Sequence, residues 1–361
     1  MAADRLLGRP AKPDWEAFRD CILRKGTPRR VHNIELQIDQ EMQDAVVRRF
    51  GLDNGIGAAD PFRAEKQQLA LHRFLGYDYM RVDLERFDYP LPSRTAADTA
   101  GLTRTAGRDF REQGRGPITS WEELERYPWP DPDRASTRAF EWYETNLPDD
   151  MCLIAGHCHV AELLSWLMGY DTLCYALADQ PDLVRAIAAK VHDITVRQMR
   201  RFLQFSRVKA VWGSDDMGFR TGLLMSPRDT RELVLCAHQR AAAMAHEAGR
   251  LYILHSCGNL VDIRDDLIDD VRIDGRHSWE DVIEPITDAK LTWGRRTAVL
   301  GGIDMDFLCR ASEQEIRARV RRTAEICMPG GGWCLGTGNT AANYVPVDSF
   351  LAMIDEGRRI A

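Results

Sequence analysis

A histidine and a cysteine two positions apart carry the clearest chemical signal in the sequence. The apolar run 251–254 leads directly into His255, and Cys257 follows after one serine. If the extended backbone continues through the pair, both side chains point to the same side, with their Cα atoms about 6.6 Å apart. An imidazole and a thiolate at that spacing can bind one ion, and they suit zinc. The alternative is that His255 contacts substrate and Cys257 is a small buried residue.

A zinc site needs further ligands, and Cys334 near the carboxyl terminus is the predicted third one. A His–Cys–Cys set leaves one coordination position open, which is typical of catalytic rather than structural zinc. We expect Glu280 to occupy that position when substrate is absent. Two alternatives stay open for the third ligand. Cys327 lies shortly before Cys334 and is a rival, and Cys334, between Trp333 and Leu335, would equally well fill a core.

Three more polar groups follow apolar runs and are candidates for the same site. His157 and His159 are predicted to bind substrate or metal, although a histidine at a strand end often makes ordinary hydrogen bonds. Asp215 and Asp216 are predicted to act as acid or base or to stabilise a cation, and the alternative is a loop-capping role. Arg220 is predicted to clamp a substrate carboxylate, whereas a surface ion pair is its simpler role.

The glycine-rich stretch 336–341 matches the spacing of a dinucleotide-binding loop. It stands at the end of the chain with no βαβ unit after it, so we reject that interpretation. Backbone amides beside Gly336 are instead predicted to hold an anionic group of the substrate, with Asn339 nearby. The alternative is a tight turn that needs glycine.

Alternating strands and helices must position these residues. Eight apolar runs are predicted strands, at 31–36, 77–84, 151–155, 208–213, 251–254, 271–273, 297–302 and 332–335. Helical patterns lie between most of them, at 161–178, 181–205, 227–248, 280–292, 312–326 and 347–359. Eight such units favour a closed (β/α)₈ TIM barrel over an open doubly wound sheet. Polar residues follow most runs, so we expect the active site at the C-terminal face of the strands.

Composition predicts a soluble protein; the length fits one barrel or two ordinary domains, and the strand count favours the single barrel. We assign residues 1–361 to a single barrel and read 88–138, which is rich in Arg, Thr, Gly and Pro, as an insertion that covers the mouth. The net charge of -7 and the dispersed basic residues exclude a nucleic-acid groove. No run approaches the ~18 apolar residues that cross a bilayer. Nine scattered cysteines and a charged amino terminus indicate a cytoplasmic protein without disulfides.

Taken together, these residues resemble the uroporphyrinogen decarboxylase superfamily. That superfamily includes decarboxylases, corrinoid-dependent methyltransferases and, more remotely, cobalamin-independent methionine synthase. The resemblance covers roughly 31–359 and is strongest in the second half of the chain. It rests on SDDMGFRTGLLMSP at 214–227, HSCGN at 255–259, LGGID at 300–304, PGGGWCLGTGN at 329–339 and NYVP at 343–346.

The resemblance implies an activity, cofactors and partners. Zinc-dependent methyltransferases of the superfamily use a His-x-Cys pair and a later cysteine, which match His255, Cys257 and Cys334. In such enzymes zinc holds a substrate thiol as thiolate, and the thiolate attacks a methyl group on the cobalt of a corrinoid protein. The chain has Arg29–Glu35 (RRVHNIE) where haem-pathway decarboxylases carry an arginine motif that grips the porphyrinogen carboxylates. We therefore expect a methyltransferase, and a homodimer by analogy with the family.

Two alternatives remain at this stage. The first is a metal-free decarboxylase of uroporphyrinogen or a related carboxylated substrate, in which Asp216 stabilises a protonated pyrrole. The second is a non-catalytic protein that binds a tetrapyrrole or a corrinoid in a deep pocket without turnover.

Overall fold

The computed structural model describes residues 6–111, 114–157 and 159–360, with His157 described by its backbone only. Its main sheet contains seven strands, and every adjacent pair in it is parallel. In sheet order they are β1 (Tyr79–Val82), β4 (Cys152–His157), β5 (Val208–Ser214), β8 (Leu251–His255), β9 (Gly275–His277), β10 (Ala298–Leu300) and β11 (Trp333–Cys334). Two short antiparallel pairs lie outside it, namely β2 (Ser93–Ala96) with β3 (Arg108–Arg111) and β6 (Gly218–Phe219) with β7 (Gly222–Leu223).

Helices connect these strands, as the alternating pattern predicts. They are α1 (Trp15–Ile22), α2 (Gln40–Phe50), α3 (Arg63–Leu75), α4 (Trp121–Arg126), α5 (Arg138–Asn146), α6 (Ala161–Met168), α7 (Tyr170–Asp179), α8 (Pro181–Phe202), α9 (Pro227–Thr230), α10 (Cys236–Glu247), α11 (Ile286–Thr292), α12 (Met305–Arg310), α13 (Glu313–Cys327) and α14 (Val347–Arg359). Single 3₁₀ turns occur at Pro132–Arg134 and Val261–Ile263, and π-helical turns at Arg231–Leu235 and Asp266–Val271. None of the helices in the described ranges combines the length and apolarity needed to cross a lipid bilayer.

The predicted first strand, 31–36, takes part in the sheet through a single bridge. Asn33 pairs in parallel with Leu335, and the amide of Ile34 donates to the carbonyl of Leu335 over 2.8 Å. The structure thus confirms an α/β fold around a curled parallel sheet. A closed ladder of eight strands is not present among the described residues, because the first run joins β11 but not β1 by backbone pairing.

Side chains span the remaining gap between 31–36 and β1. The hydroxyl of Tyr79 accepts from the amide of Glu35 and donates to its carbonyl, both over 2.9 Å. Arg81 donates to the carbonyl of Leu36 over 2.5 Å. Side-chain hydrogen bonds therefore link 31–36 to β1, although no backbone pairing joins the two segments.

Two predicted elements differ from those in the structure. The run 271–273 forms the end of a π-helical turn and the residues after it, and the strand begins at Gly275. So short an apolar run cannot be assigned to strand or helix by periodicity. The predicted helix 161–178 is two helices that meet at Gly169, where φ is +83°. A Cβ on Gly169 would lie 2.5 Å from the carbonyl oxygen of Gly114. The segment 88–138 therefore packs directly against this break.

Candidate functional site

Asp216, His255 and Cys257 come together at the carboxyl ends of β5 and β8. These strands are neighbours, and Ser214 at the end of β5 pairs with His255 at the end of β8. One ligand atom from each of the three residues lies within 4.8 Å of the other two. His255 Nε2 is 3.3 Å from Asp216 Oδ1 and 3.5 Å from Cys257 Sγ. We call these three residues the Asp–His–Cys cluster.

The charges in this cluster favour a bound cation. Burial would raise the pKa of Asp216, but hydrogen bonds from His255 and from the backbone amide of Cys257 lower it to about 2. Burial and the Asp216 carboxylate both raise the pKa of the Cys257 thiol. An ionised carboxylate thus lies beside a thiol that holds its proton, and a divalent metal ion reverses that preference because it stabilises the thiolate. A carboxylate, an imidazole and a thiol form a donor set that fits zinc.

Asn339 binds to the cluster through the sulfur of Cys257. Its side-chain amide donates to Cys257 Sγ over 3.1 Å, and Asn339 also lines a cavity of about 930 Å³. The Cys257 thiol faces the hydroxyl of Ser278 over 3.8 Å. Asn339 was predicted to contact substrate, and in the structure it stands between the cavity and the cluster.

His277 stands behind His255 on the neighbouring strand β9. The two Nδ1 atoms are 2.8 Å apart, and His277 Nε2 is 3.3 Å from the carbonyl oxygen of Thr337. His277 is fully buried, and burial together with the nearby His255 holds its pKa well below the usual range. Sequence reasoning did not select His277 as a site residue. The signal available was its position at the carboxyl end of a strand.

Asp215 caps the start of a helix, which differs from its predicted role as acid or base. Its carboxylate is fully buried and accepts from the backbone amides of Ala161 and Glu162 over 3.0 and 3.1 Å. His238 Nε2 lies 2.8 Å from the same carboxylate. Both oxygens therefore satisfy the open amides at the start of α6, a common use of a carboxylate at a helix N-terminus. The loop-capping alternative describes Asp215 better than acid or base catalysis.

His159 forms a second polar group beside the cluster. Its Nδ1 pairs with the carboxylate of Glu162, whose Oε2 also accepts from the amide of Asp216 over 3.1 Å. Burial would lower the pKa of His159, but the Glu162 carboxylate raises it above the usual value. His159, Glu162 and Asp215 have ligand atoms within 4.8 Å of each other. Because Asp215 is already fully hydrogen-bonded, this group is a weaker metal site than the Asp–His–Cys cluster. The side chain of His157 lies outside the described residues.

Cys334 does not join the cluster, which corrects its predicted role as third ligand. Its side chain is fully buried and hydrogen-bonded with the thiol of Cys21 in α1. Because α1 packs against β11, the side chain of Cys334 is turned toward this helix. The rival Cys327 is also buried and donates to the carbonyl of Ile286 over 3.9 Å. Asp216 takes the place in the donor set that the sequence assigns to Cys334.

Gly336 also has a different role from the predicted one. A Cβ at this position would lie 1.8 Å from the carbonyl oxygen of Ile34, so glycine is needed for close approach of the first segment. The amide of Thr337 donates to Glu35 over 2.8 Å, and that of Gly338 donates to Ile303 over 2.7 Å. The amides of Thr337 and Gly338 therefore already have acceptors within the protein.

A cavity of about 930 Å³ opens beside the cluster. Asn339 and Glu280 lie in its wall, together with apolar residues such as Val282 and Tyr344. Burial and the carboxylates of Asp304 and Asp216 raise the pKa of Glu280, and Arg220 partly offsets that effect. Arg220 is exposed at the tip of the β6–β7 hairpin. Glu280 thus lies in the cavity wall, and Arg220 is close enough for its charge to act on Glu280.

The chain resembles a known protein in fold but not in sequence. No model of a known protein family matches the chain, and no curated protein matches it in sequence. In fold, the chain is similar to a solved structure described as a methyltransferase from Methanosarcina mazei, with a TM-score of 0.66 and 16% sequence identity. The match covers 94% of this chain and 96% of that chain. The likeness extends over nearly the whole of both molecules, and at this identity it establishes a common fold.

Proposed function

We propose that the chain is a methyltransferase that moves a methyl group from a corrinoid protein to a thiol acceptor. The observation that carries the proposal is the Asp–His–Cys cluster beside a cavity of about 930 Å³ at the carboxyl ends of the strands. The similarity in fold to a methyltransferase supports it. The corrinoid partner rests on the sequence resemblance to corrinoid-dependent enzymes.

The proposed metal is zinc, held by Asp216, His255 and Cys257. When bound, zinc would lower the pKa of an acceptor thiol and keep it as thiolate. With Asp216, His255 and Cys257 as its only protein ligands, the ion would still be able to bind the acceptor sulfur. The hydrogen bond from Asn339 to Cys257 Sγ would stabilise the negative charge of that ligand once the metal is bound.

Glu280 in the cavity wall and Arg220 on the β6–β7 hairpin supply the remaining functions in this proposal. In this proposal Glu280, whose pKa is raised and which lines the cavity, takes the proton that the acceptor thiol releases. Arg220, at the exposed hairpin tip, offers a charge partner for an acidic group on the acceptor or on the corrinoid. A cavity of this volume falls in the range of small-molecule sites and would admit the acceptor.

Metal analysis and a methyl-transfer assay test the proposal. We expect about one zinc per chain in protein purified without added metal. We also expect small thiols to demethylate methylcobalamin only when the enzyme is present, followed by the absorbance change of the corrinoid. Asp216→Asn and His255→Gln should lose both properties, and the matched variants Asp269→Asn and His246→Gln, on outer helical segments, should keep them.

Other results would favour the decarboxylase or the binding protein instead. A parent protein without zinc would contradict the zinc mechanism. Formation of fluorescent porphyrins with fewer carboxyl groups, after oxidation of the product, would show a decarboxylase. Tight corrinoid or porphyrin binding with neither metal nor turnover would show a binding protein.

A further inference from the structure

We infer that a cavity between β9 and the end of α11 binds a small carboxylic acid, as its anion, through the guanidinium of Arg276. This cavity lies apart from the one beside the Asp–His–Cys cluster, since no residue lines both. The inference goes beyond the proposed function and depends neither on methyl transfer nor on zinc.

Arg276 lies in the middle of β9 and points away from the Asp–His–Cys cluster. Side chains alternate along a strand, and the next residue, His277, contacts His255 of the cluster over 2.8 Å. The guanidinium carbon of Arg276 instead lies between two indole rings, 4.2 Å from the centroid of Trp279 and 4.6 Å from that of Trp293. Trp293 directly follows α11, so the guanidinium is fixed between the sheet and the helices outside it.

The charge of Arg276 has no acidic partner in direct contact among the described residues. The residue is 3% exposed, its Nη2 donates to the carbonyl of Gly258 over 3.1 Å, and its Nε has no partner. Burial lowers the pKa of Arg276 to about 10, and the more distant carboxylate of Glu284 opposes the shift. The group is therefore still charged at neutral pH, and a buried charge of this kind is stabilised by an anion that pairs with it.

A cavity of about 300 Å³ opens beside this guanidinium. Gly258 and Trp293, which both contact the guanidinium, lie in the cavity wall together with Arg276 itself. Arg264 adds a second positive charge to the wall, and Asp265 offsets it in part from 3.7 Å away. The volume is at the lower end of the range for small-molecule sites, so it suits a small ligand.

The rest of the wall indicates the class of ligand. Glu284 is an acidic residue of this wall, but its oxygens already accept from the hydroxyl of Thr292 over 2.6 Å and from the indole of Trp293 over 3.1 Å. Val261 and Ile283 supply apolar surface. A guanidinium matches the two oxygens of a carboxylate with parallel hydrogen bonds. A monocarboxylate with an apolar body is thus the ligand that fits.

Calorimetric titration of the full chain with benzoate tests the inference, with benzamide as the neutral control. Metal is first removed with a chelator, because a carboxylate would also bind to a zinc ion. We expect benzoate to bind about tenfold or more tightly than benzamide, since only the anion pairs with Arg276. Equal affinities for the two compounds, or binding of neither, would overturn the inference.

Three substitutions locate the binding. Arg276→Lys keeps the charge but loses the planar pair of donors, and we expect it to weaken benzoate binding about tenfold. Glu284→Gln removes a negative charge from the wall and should tighten binding severalfold. Arg108→Lys alters an arginine in the wall of the larger cavity and should bind benzoate as the parent does.

The opposite directions of these effects keep the test decisive. If Arg276→Lys does not fold, Glu284→Gln still decides, because an unchanged benzoate affinity in that variant contradicts the inference. Loss of binding in Arg108→Lys but not in Arg276→Lys would place the anion in the larger cavity and refute it.

The indole N–H of Trp293 gives a direct readout of the site, because it donates to Glu284 within the cavity wall. Its ¹H–¹⁵N NMR signal is assigned from its absence in Trp293→Phe. We expect this signal to move during titration with benzoate and to stay in place with benzamide. A signal that does not move with benzoate would show that the anion binds elsewhere.

Discussion

The side-chain amide of Asn339 donates a hydrogen bond to the sulfur of Cys257 over 3.1 Å. Cys257 follows the middle strand β8, whereas Asn339 follows β11 at one edge of the sheet. The contact therefore joins the Asp–His–Cys cluster to the last part of the chain. It also provides a donor for a sulfur atom that would carry negative charge as a metal ligand.

Removal of this donor should weaken metal binding. We expect Asn339→Leu to raise the dissociation constant for zinc by about tenfold or more, because the thiolate loses a hydrogen bond that stabilises its charge. Chelator competition measures the change. Gln37→Leu is the control, since Gln37 is an exposed amide residue in the wall of the same cavity. An equal loss in both variants would show that the effect comes from the cavity as a whole.

The adjacent aspartates should respond in opposite ways to the same substitution. Asp215→Asn weakens the bonds to the start of α6 and to His238, and we expect it to lower the free energy of unfolding by about 2–4 kcal/mol. Asp216→Asn should unfold close to the parent but lose zinc. Chemical unfolding and metal analysis of both variants provide the comparison. A stable Asp215→Asn variant without activity would restore the catalytic role of Asp215.

Substitution of Cys334 and of Cys257, the two cysteines of the predicted ligand set, should have different effects on zinc content and stability. We expect Cys334→Ala to keep its zinc and to lose about 1–2 kcal/mol of stability, because a buried side chain is shortened against Cys21. Cys257→Ser should lose zinc at little cost in stability, since Cys257 is only partly buried. Elemental analysis of the purified variants decides the question. Loss of zinc from Cys334→Ala would return that residue to the ligand set.

Glu35 should make the protein less stable as the pH rises. Burial raises the pKa of Glu35 from 4.5 to about 8, although hydrogen bonds from Thr337 oppose the shift. The folded protein thus keeps a proton that the unfolded chain releases, so this contribution is complete below pH 4.5 and is lost as the pH rises through 8.

Glu35→Gln should remove this dependence, because an amide stays neutral at every pH and can still bond to Thr337. We expect the variant to gain on the order of 1–3 kcal/mol relative to the parent between about pH 5 and pH 8. Urea unfolding at several pH values measures the difference. The exposed Glu16→Gln serves as control, and an unchanged difference between Glu35→Gln and the parent across this range would contradict the prediction.

The sequence identified the pair His255 and Cys257 but not the third residue that lies beside them. Strand alternation carries through Ser256, so His255 and Cys257 were expected on one side, and the structure places them there. The third member of the group could not be found in the same way. Whether Cys334 faces the mouth depends on how α1 packs against β11, and no local spacing contains that information.

The same limit applies to the strands themselves. Six of the eight predicted runs overlap strands of the main sheet, because buried parallel strands read as continuous apolar segments. The prediction of a strand at 271–273 was wrong, since three apolar residues suit a helical turn equally well, and the strand lies at Gly275–His277. The run 31–36 is extended but binds β1 through Tyr79 and Arg81, which periodicity does not reveal.

The close approach of Gly336 to Ile34 has a consequence for biosynthesis. Ile34 leaves the ribosome near the start of translation, and its partner some 300 residues later, so this contact can form only when almost the whole chain has been made. Until then 31–36 and the edge of β10 both lack their pairing partner, and nascent chains would be prone to edge-to-edge association. A chain truncated before β11 should therefore aggregate, even though it contains every member of the Asp–His–Cys cluster.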